Sequence, residues 1–534
     1  MKKTLLTIIL ILFGLKPDHT TRAQSGDNND RTFTNPVVWA DVPDPDVIRV
    51  GDDFYLVSTT MHLMPGAPIM HSKDLVNWDI VSYLYDRLDD KPQYDLVEGT
   101  VYGRGQWATS LRYRDGRYYA YFSPNDTPFK GYLYSTDNPS GKWSLVARLP
   151  HFHDASLFFD DDGRAYVFYG TGQLRELKPD LTGVLPGGID TTLFVRDAEE
   201  TGLLEGSRVV KHDGRYYLLM VSWPAGAPRR QVCYRADRIT GPYEKRVILE
   251  DAFAGFPYVG QGTIVDDGRG NWYGIIFQDR GGVGRVLTLM PCRWVDGWPL
   301  LGNESGRVPE TMNKPVAGFS SPGLTVSDDF NDKNLKRNWQ WSHNPIDKCW
   351  SLTARKGFLR LSTGRVVENL FLAPNTLTQR MEGPRCRGIV ALDLAGMKEG
   401  DVAGFAAFNS DAGVLAITCR DGEKQLSMQS QSVSLTEKEK RVSDVKARVH
   451  ETVALTSDTL YLRIDGDFRV GRDIATFYYS LDNKHWRQIG ADFNMIFDYR
   501  RFFMGTKFAL FNYATQTTGG YIDVDFFDYK RLDE

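Results

Sequence analysis

The stretch SLRYRDGRYYAYFS (Ser110–Ser123) consists of two short strand-like segments joined by an Asp-Gly pair. Asp-Gly is a strong signal for a tight hairpin turn, because both central positions of such a turn need a positive φ. The segment after the turn is rich in aromatic residues, which favour strands. The stretch therefore predicts a β-hairpin.

The same unit recurs along the first half of the chain at intervals of roughly 50 to 65 residues, and helical periodicity is nearly absent. The related segments are GDDFYLVST (51–59), DGRYYAYFS (115–123), DGRAYVFYG (162–170), DGRYYLLMV (213–221) and DDGRGNWYGIIF (266–277). Five such hairpins with further strands between them predict a five-bladed β-propeller. A β-sandwich built from the same hairpins is the alternative.

Aligning the five units on the aromatic residue of the second strand places one residue of each unit at an equivalent position. These residues are Asp44, Trp107, Asp154, Glu205 and Gln261, lying eleven residues before Tyr55 and twelve before Tyr119, Tyr166, Tyr217 and Tyr273. In a propeller the strands that follow them are innermost and line the central channel. We therefore expect the three acidic side chains to converge at one mouth of that channel.

Three carboxyl groups crowded beside an apolar wall disfavour the ionised form. A carboxyl that keeps its proton at neutral pH is what a general acid requires, so the three positions predict an acid–base site. Gly206, next to Glu205, is small enough for a substrate to approach the backbone. The alternative is that the acids cap strands or form turns, and DPD at Asp44–Asp46 is itself a turn signal.

The same segments carry a family resemblance. NPVVWADVPDPDVIRVGDDFYLVST (35–59), GQWATSLRYRDGRYYAYFS (105–123), HFHDASLFFDDDGRAYVFYG (151–170), LLEGSRVVKHDGRYYLL (203–219) and VDGWPLLG (295–302) together resemble glycoside hydrolase family 43. Members of that family are five-bladed propellers that act on α-L-arabinofuranosides and β-xylosides. The segment 324–363 resembles the start of the β-sandwich that follows the propeller in the two-domain members.

The resemblance implies a role for each acid. Asp44 matches the general base, Glu205 matches the general acid, and Asp154 matches the acid that tunes and orients Glu205. The implied reaction is inverting hydrolysis, in which the two carboxyl groups lie roughly 6.5–9.5 Å apart with a water between them.

The resemblance also implies three substrate-binding residues, and the position of a loop suggests a fourth. Arg285 matches an arginine of the sugar pocket and Trp107 a pocket-wall aromatic. Gln261 stands where many members have a histidine near a central metal or water, and this departure puts a central calcium site in doubt. His62 lies in TTMHLMPGAP (59–68), a loop expected to close the pocket together with QDRGGVGR (278–285) and a loop of the second domain; a surface histidine is the alternative.

The chain is expected to contain two globular domains. The predicted divisions are a propeller over 31–305, a linker rich in Gly, Pro and Ser over 306–323, and a concanavalin-like β-sandwich over 324–534. Asp329 and Asp525 lie near opposite ends of the sandwich sequence and are candidate ligands of a structural Ca²⁺, which prefers oxygen donors. Two ordinary surface carboxylates are the alternative.

Residues 1–23 begin with a charged pair, Lys2 and Lys3, followed by an apolar run too short for a bilayer and small residues before a cut after Ala23. They predict a signal peptide and a secreted or periplasmic protein, with an uncleaved anchor as the alternative. A net charge of −4 gives no basic excess for nucleic acid. The five scattered cysteines lack metal or scaffold spacing, although a Cys349–Cys386 bridge stays open.

The sequence thus predicts an exo-acting hydrolase that releases terminal α-L-arabinofuranosyl residues from plant cell-wall polysaccharide or oligosaccharide, without a cofactor for catalysis. A β-D-xylosidase of the same mechanism is the nearest alternative. The others are a non-catalytic carbohydrate-binding protein and a fructan-cleaving furanosidase. That furanosidase type has an NDPN-like start, whereas this chain has VPDPDV (42–47).

Overall fold

A computed structural model describes residues 26–28, 31–256 and 260–532, so the predicted signal peptide lies outside the described residues. The protein is almost entirely β-structure. Its 3₁₀ helices within that range are Pro92–Asp95, Gly281–Val283, Asp347–Cys349 and Leu370–Leu372. No helix of the described ranges is long and apolar enough to cross a membrane.

The first part of the chain forms the predicted five-bladed propeller. Up to residue 313 the strands are β1 (Thr32–Thr34), β2 (Asp46–Val50), β3 (Asp53–Val57), β4 (Leu63–Met64), β5 (Gly66–Ser72), β6 (Asp79–Tyr85), β7 (Gln106–Arg114), β8 (Arg117–Pro124), β9 (Lys130–Thr136), β10 (Ser144–Pro150), β11 (Ser156–Phe159), β12 (Ala165–Tyr169), β13 (Gln173–Leu177), β14 (Asp190–Thr192), β15 (Leu203–His212), β16 (Arg215–Trp223), β17 (Arg230–Ala236), β18 (Glu244–Leu249), β19 (Gly262–Asp266), β20 (Trp272–Asp279), β21 (Arg285–Val295), β22 (Trp298–Leu301) and β23 (Thr311–Asn313). The blades are the four-stranded antiparallel sheets β2-β3-β5-β6, β7–β10, β11–β14, β15–β18 and β19–β22. Their first strands contact one another in a closed ring, β2 to β7, β11, β15, β19 and back to β2.

The Asp-Gly turns differ among the blades. In blades 2 and 4 the predicted two-residue turn is confirmed, with φ of 53° and 79° at Asp115 and Gly116. In blades 3 and 5 the strands stop earlier, so the turn is longer, and the first pair after it joins Phe159 to Ala165 in blade 3. Because these turns contain more residues, an aligned residue in blades 3 and 5 lies one residue closer to the partner of its tyrosine than an aligned residue in blades 2 and 4 does.

β-Bulges compensate for this difference. In blade 3 the aligned Tyr166 pairs with Phe158, and Asp154 lies four residues before Phe158. In blade 4 the aligned Tyr217 pairs with Val210, and Glu205 lies five residues before Val210. A register shift between Glu205 and Arg208 absorbs the additional residue, and blade 2 has an equivalent shift at Trp107. Because a bulge bends the strand and re-aims its side chains, the five aligned positions still face the same end of the channel.

The second part of the chain is the predicted β-sandwich. Its strands are β24 (Gln340–Ser342), β25 (Trp350–Ser351), β26 (Leu359–Ser362), β27 (Leu377–Arg380), β28 (Arg385–Asp393), β29 (Asp401–Phe408), β30 (Asp411–Arg420), β31 (Glu423–Leu435), β32 (Val442–Ala454), β33 (Thr459–Asp467), β34 (Ile474–Ser480), β35 (Arg487–Gln488), β36 (Phe493–Asn494), β37 (Lys507–Ala514) and β38 (Tyr521–Arg531). One sheet has the order β32-β31-β30-β29-β37-β27-β24-β4, and the other has the order β25-β26-β38-β28-β33-β34-β35, with β36 on β34.

The propeller and the sandwich are joined by more than the chain between them. β4 comes from the propeller sequence yet forms the edge of a sandwich sheet, where Met64 pairs with Trp341. One hydrophobic cluster runs from Val57 and Leu111 of the propeller to Phe405 and Phe508 of the sandwich. Since burial of apolar surface stabilises both parts together, the position of the sandwich against the propeller is fixed by packing.

The cysteines match the expectation of small buried residues. Cys233, Cys292, Cys349, Cys386 and Cys419 are all buried and free. The pair left open by the sequence, Cys349 with Cys386, is therefore not bridged.

Candidate active site

The structure brings the three acids of the aligned positions to one site. Nε2 of His153 lies 3.2 Å from Oε2 of Glu205 and 3.7 Å from Oδ2 of Asp154. One polar side-chain atom from each of His153, Asp154 and Glu205 lies within 4.8 Å of the other two. Asp44 approaches from blade 1, close enough for its negative charge to raise the pKa of both His153 and Asp154.

Both aspartates have the left-handed backbone conformation, with φ of 53° at Asp44 and 45° at Asp154. A short polar side chain tolerates this conformation better than other non-glycine residues do, and such strain concentrates at functional sites. Asp44 is held from two sides, because Oγ1 of Thr59 donates to its Oδ2 at 2.7 Å and Nη1 of Arg285 donates to its Oδ1 at 3.2 Å.

Asp154 and Glu205 differ in their access to solvent. The Asp154 side chain is 7% exposed and the Glu205 side chain is 29% exposed, so Glu205 presents its carboxyl to the pocket while Asp154 lies behind it. Burial raises the pKa of Asp154 to about 7. The charges of Glu205 and Asp44 add to the rise, and those of His153 and Arg208 oppose it.

His153 is a site residue that the sequence analysis missed. The charge of Asp154 and the hydrogen bond to Glu205 raise the pKa of His153 to about 9, although burial acts in the opposite direction. Its ring lies 6.1 Å from that of Trp107 across the pocket. A histidine directly before an aligned acid, in HFHDAS (151–156), was the available signal.

Arg208 fills the channel beneath the acids and was also missed. Its side chain is fully buried and donates to the backbone oxygens of Asp44 at 3.1 Å, Thr109 at 3.3 Å and Ala155 at 3.4 Å. A guanidinium with five donors can satisfy several carbonyl groups at once. Arg208, from blade 4, therefore ties blades 1, 2 and 3 together directly below Asp44.

Arg285 connects the pocket to the sandwich. Its Nη1 contacts Asp44, and its Nη2 donates to the backbone oxygen of Phe503 at 3.2 Å. The guanidinium carbon lies 4.4 Å from the centre of the Phe503 ring, which is also 5.8 Å from the ring of Trp107. Phe503 is thus the contribution of the loop that the sequence analysis expected from the second domain without naming its residues.

Asp41 fixes the position of that loop. Its carboxylate accepts hydrogen bonds from the backbone nitrogens of Arg285 and Gly505, each at 2.9 Å, and lies 3.3 Å from Nζ of Lys507. The positive charges of Lys507 and Arg285 hold the pKa of Asp41 below its ordinary value against the opposing effect of burial. One buried carboxylate therefore aligns the pocket arginine with the sandwich loop.

Family models cover both parts of this architecture. The model of glycosyl hydrolases family 43 matches residues 33–299, and the model of the beta xylosidase C-terminal concanavalin A-like domain matches residues 327–530. The chain belongs to glycoside hydrolase family 43. The first match includes all three acids and Arg285, and the second includes Phe503, so this family 43 protein is a glycoside hydrolase with both of its characteristic domains.

Relatives and solved structures align over most of the chain. A beta-xylosidase of Formosa agariphila is 29% identical over 94% of this chain and 91% of its own. A non-reducing end alpha-L-arabinofuranosidase of Bacteroides ovatus is 29% identical over 79% of this chain and 82% of its own. The structure of a bifunctional GH43-CE protein of Bacteroides eggerthii is 43% identical with a TM-score of 0.87, and the alignment covers 95% of this chain but only 64% of that one.

One residue expected to bind substrate in this family 43 protein lies elsewhere. His62 is fully buried between the domains, packed against the rings of Tyr102, His343 and Phe502, and has no surface for a sugar. Gln261 is buried next to the acids, because its side chain occupies the space beside Gly206, where an added Cβ would lie 2.7 Å from Cδ of Gln261; its contact with substrate stays a prediction. Gly206 is therefore small to accommodate Gln261, and its φ of 79° shapes the bulge.

Trp107 is half-buried at the pocket wall, with Nε1 donating to the backbone oxygen of Gly103 at 3.3 Å. Its contact with substrate stays a prediction.

The candidate calcium ligands lie in neighbouring segments of the sandwich, since Asp328 pairs with Phe527. Asp329 accepts a hydrogen bond from the backbone nitrogen of Asn331 at 3.3 Å, and Asp525 is exposed. Within the described ranges neither aspartate belongs to a cluster of three side chains suited to a metal. Ca²⁺ takes six to eight oxygens, so backbone carbonyls and water would have to supply the rest, and the calcium site stays a prediction.

Proposed function

We propose that this family 43 enzyme removes one terminal pentose at a time from plant cell-wall polysaccharide or oligosaccharide by inverting hydrolysis, with α-L-arabinofuranosyl residues as the first expected sugar. The observation that carries the proposal is the convergence of Asp44, Asp154 and Glu205 in one pocket. A single displacement needs one carboxyl to protonate the leaving oxygen and another to activate water.

Glu205 is the proposed general acid, because it is the more exposed member of the buried acid pair. Burial beside two other carboxyl groups raises the pKa of Asp154 to about 7. The pair of Asp154 and Glu205 therefore retains a proton at a pH where isolated carboxyl groups have lost theirs. That proton is the one transferred to the glycosidic oxygen as the bond breaks.

Asp44 is the proposed general base. Thr59 and Arg285 donate to its two oxygens, so its orientation is fixed while one lone pair of each oxygen stays free for water. The water attacks the anomeric carbon from the face opposite to Glu205, which inverts the configuration. A separation of roughly 6.5–9.5 Å between the two carboxyl groups belongs to this proposal.

Exo action is proposed from the closure of the pocket by the sandwich. Phe503 lies against both Arg285 and Trp107, which leaves room on that side for the end of a chain rather than its middle. A cavity of about 990 Å³ extends from Trp107 along Asp498 and Tyr499. The remainder of the substrate, which departs with the glycosidic oxygen, is proposed to occupy this cavity.

β-D-Xylosyl residues are the second candidate sugar. The name of the Formosa agariphila relative favours a xyloside, and that of the Bacteroides ovatus relative favours an arabinofuranoside at a non-reducing end. Both pentoses present similar hydroxyl groups to a pocket, so the acids and Arg285 serve either substrate.

A panel of nitrophenyl α-L-arabinofuranoside and β-D-xyloside, with matching oligosaccharides, tests the proposal. We expect turnover of a pentoside by the wild type and a loss of roughly 10²–10⁴-fold in Glu205→Ala and Asp44→Ala on the natural oligosaccharide. Glu304→Ala, at an exposed loop position, is the control. Wild-type turnover in both acid variants would refute the mechanism, and binding without turnover in the wild type would favour the non-catalytic alternative.

We also propose that the mature protein acts outside the cytoplasm, after removal of residues 1–23. Intact mass of the exported protein should correspond to a chain that begins at Gln24. An unshortened chain in the exported fraction would contradict the cleavage.

The proposed chemistry uses only carboxyl groups and water. We therefore expect kcat to be unchanged by exhaustive treatment with EDTA, with Ca²⁺ removal affecting at most the melting temperature. Loss of kcat that is restored by a metal ion would overturn this part of the proposal.

A further inference from the structure

His153 lies between two of the proposed catalytic carboxyl groups, and neither the base role of Asp44 nor the acid role of Glu205 uses it. Its Nε2 approaches Oε2 of Glu205 to 3.2 Å and Oδ2 of Asp154 to 3.7 Å, and its side chain is 36% exposed. It thus lies at the mouth of the pocket while touching the buried acid pair.

The charged groups around His153 come from four sides of the pocket. Asp154 adjoins it in the chain, Glu205 reaches it from β15, and the charge of Asp44 acts on it from blade 1. The ring of His151 lies 6.4 Å away, and burial together with the charge of His153 lowers the pKa of His151, which favours its neutral form. The positive charge of Arg208 acts on Asp154. The negative charge on this side of the pocket, led by that of Asp154, outweighs the effect of burial and favours an imidazolium at His153.

We propose that His153 is a positioning residue that confines the acid proton to Oε1 of Glu205 and stabilises the charge left on Glu205 after proton transfer. The inference rests on the proposed general-acid role of Glu205. An imidazolium has only donors, so the Nε2–H of His153 points at Oε2. An oxygen that accepts this hydrogen bond at 3.2 Å is the less favourable place for the carboxyl proton, which then resides on Oε1.

The effect of His153 grows during the reaction. In the ground state its partner is a neutral carboxyl, whereas in the transition state the O–H bond of Glu205 breaks and a carboxylate forms beside the imidazolium. A charge-assisted hydrogen bond is stronger than a neutral one, so the contact favours the transition state over the ground state. No proton leaves His153 in this step.

Substrates with different leaving groups separate this role from a structural one. A 4-nitrophenolate leaves without a proton, whereas an alkoxide of an oligosaccharide or methyl pentoside needs the proton of Glu205. For His153→Leu we expect kcat/KM to fall about 100-fold on the methyl pentoside and less than about 3-fold on the nitrophenyl pentoside. His153→Gln keeps a donor but no charge, and should fall between the wild type and His153→Leu.

The pH profile gives a second readout. A cation beside a carboxyl makes the carboxyl lose its proton at lower pH, so removal of the cation delays the loss. The alkaline limb of kcat/KM on the methyl pentoside should therefore move upward by about one pH unit in both variants. His151→Gln, which changes a histidine two residues earlier that does not contact the acids, is the matched control and should leave the limb in place.

Equal losses on both substrates, an unmoved alkaline limb or wild-type kinetics in His153→Leu would each overturn the proposal. If His153→Leu does not fold, as judged by circular dichroism, His153→Gln alone decides it. Glu205→Ala separates this failure from that of the proposed function. If Glu205→Ala retains wild-type turnover of the methyl pentoside, the proposed function fails. If Glu205→Ala loses that turnover while the His153 variants keep wild-type kinetics, only the role of His153 is refuted.

Discussion

At the scale of the residue, Arg285 links several parts of the pocket to one another. One guanidinium donates to Asp44 through Nη1 and to the Phe503 carbonyl through Nη2, and its backbone nitrogen donates to Asp41. The rigid fork of an arginine spans two acceptors that a single ammonium group cannot reach together. The base, the sandwich loop and the sugar pocket therefore share one side chain.

Arg285→Lys is expected to reduce kcat/KM by roughly 10–100-fold, because lysine keeps the charge but loses one of the two contacts. Steady-state kinetics on the best pentoside of the panel measure the effect. Arg293→Lys, on the same strand and near its other end, is the control and should change kcat/KM little. Equal kinetics for Arg285→Lys and the wild type would contradict the assigned contacts.

The three acids could be predicted from the sequence because each is placed by its position in a repeated hairpin. Asp44, Asp154 and Glu205 occupy corresponding positions in hairpins that Asp-Gly turns make visible. His153 and Arg208 could not be found by aligning the repeats, since neither residue type recurs at an equivalent position of the other units. Their roles depend on which side chains meet across the channel, and that is a property of the closed ring of blades.

At the scale of the element, bulges decide where Glu205 points. The register shift between Glu205 and Arg208 coincides with a φ of 79° at Gly206. Gly206 has no Cβ, so it adopts this conformation without strain and admits the Gln261 side chain. The structure thus gives packing against Gln261 as a reason for a small residue at this position, and the approach of a substrate to the Gly206 backbone stays a prediction.

Gly206→Ala is expected to lower the free energy of unfolding by about 1–3 kcal/mol and to reduce kcat, since the clash with Gln261 displaces Glu205. Urea denaturation and kinetics measure the two effects. Gly214→Ala is the matched control, because Gly214 has a similar φ of 75° and nothing lies within 4 Å of an added Cβ. The Gly214→Ala variant should be destabilised by backbone strain alone and keep its kcat.

A second variant checks the cause. Gln261→Ala added to Gly206→Ala removes the obstructing side chain and should recover part of the lost kcat. No recovery, together with equal kcat losses in Gly206→Ala and Gly214→Ala, would show that the space beside Gly206 is not what positions Glu205.

At the scale of the whole molecule, the sandwich adds residues to the candidate active site of the propeller. Phe503 supplies a pocket wall, Lys507 pairs with Asp41, and β4 of the propeller extends a sandwich sheet. The sequence predicted both folds, because hairpin turns and alternating strands are local signals. It could not predict their joint surface, which depends on residues hundreds of positions apart, so His62 was assigned to the pocket rather than to the interface.

Asp41→Asn is expected to destabilise the protein by roughly 3–5 kcal/mol, because it leaves the buried ammonium of Lys507 without its charged partner. It should also reduce kcat/KM, since Asp41 aligns Arg285 with the loop at Gly505. Urea denaturation and kinetics measure both. The double variant Asp41→Asn with Lys507→Met should be less destabilised than Asp41→Asn; an equally large loss would mean that the pair is not the cause.

Acid is expected to weaken the contact between the domains through His62. Burial lowers the pKa of His62 to about 3, from an ordinary value of 6.5. The folded protein thus binds fewer protons than the unfolded chain between these values, so the stability present above pH 6.5 is lost as pH falls toward 3. From pH 6.5 to 4.5 this one group should cost about 2–3 kcal/mol.

Urea denaturation at pH 7 and pH 4.5 measures this dependence. His62→Leu should reduce the difference in unfolding free energy between the two pH values by about 2 kcal/mol. His450→Leu is the control, because His450 lies on β32, at the opposite edge of the sheet from β4 and the contact between the domains. The same pH dependence in His62→Leu and the wild type would assign the acid sensitivity to other groups.

The stereochemistry of the first product decides whether Asp44 and Glu205 cleave the bond in one displacement. Proton NMR during the first minutes of hydrolysis of the best pentoside records the anomer before it equilibrates. A single displacement by these two residues should release the inverted anomer first, β-L-arabinofuranose from an α-L-arabinofuranoside or α-D-xylose from a β-D-xyloside. Initial release of the retained anomer would contradict it.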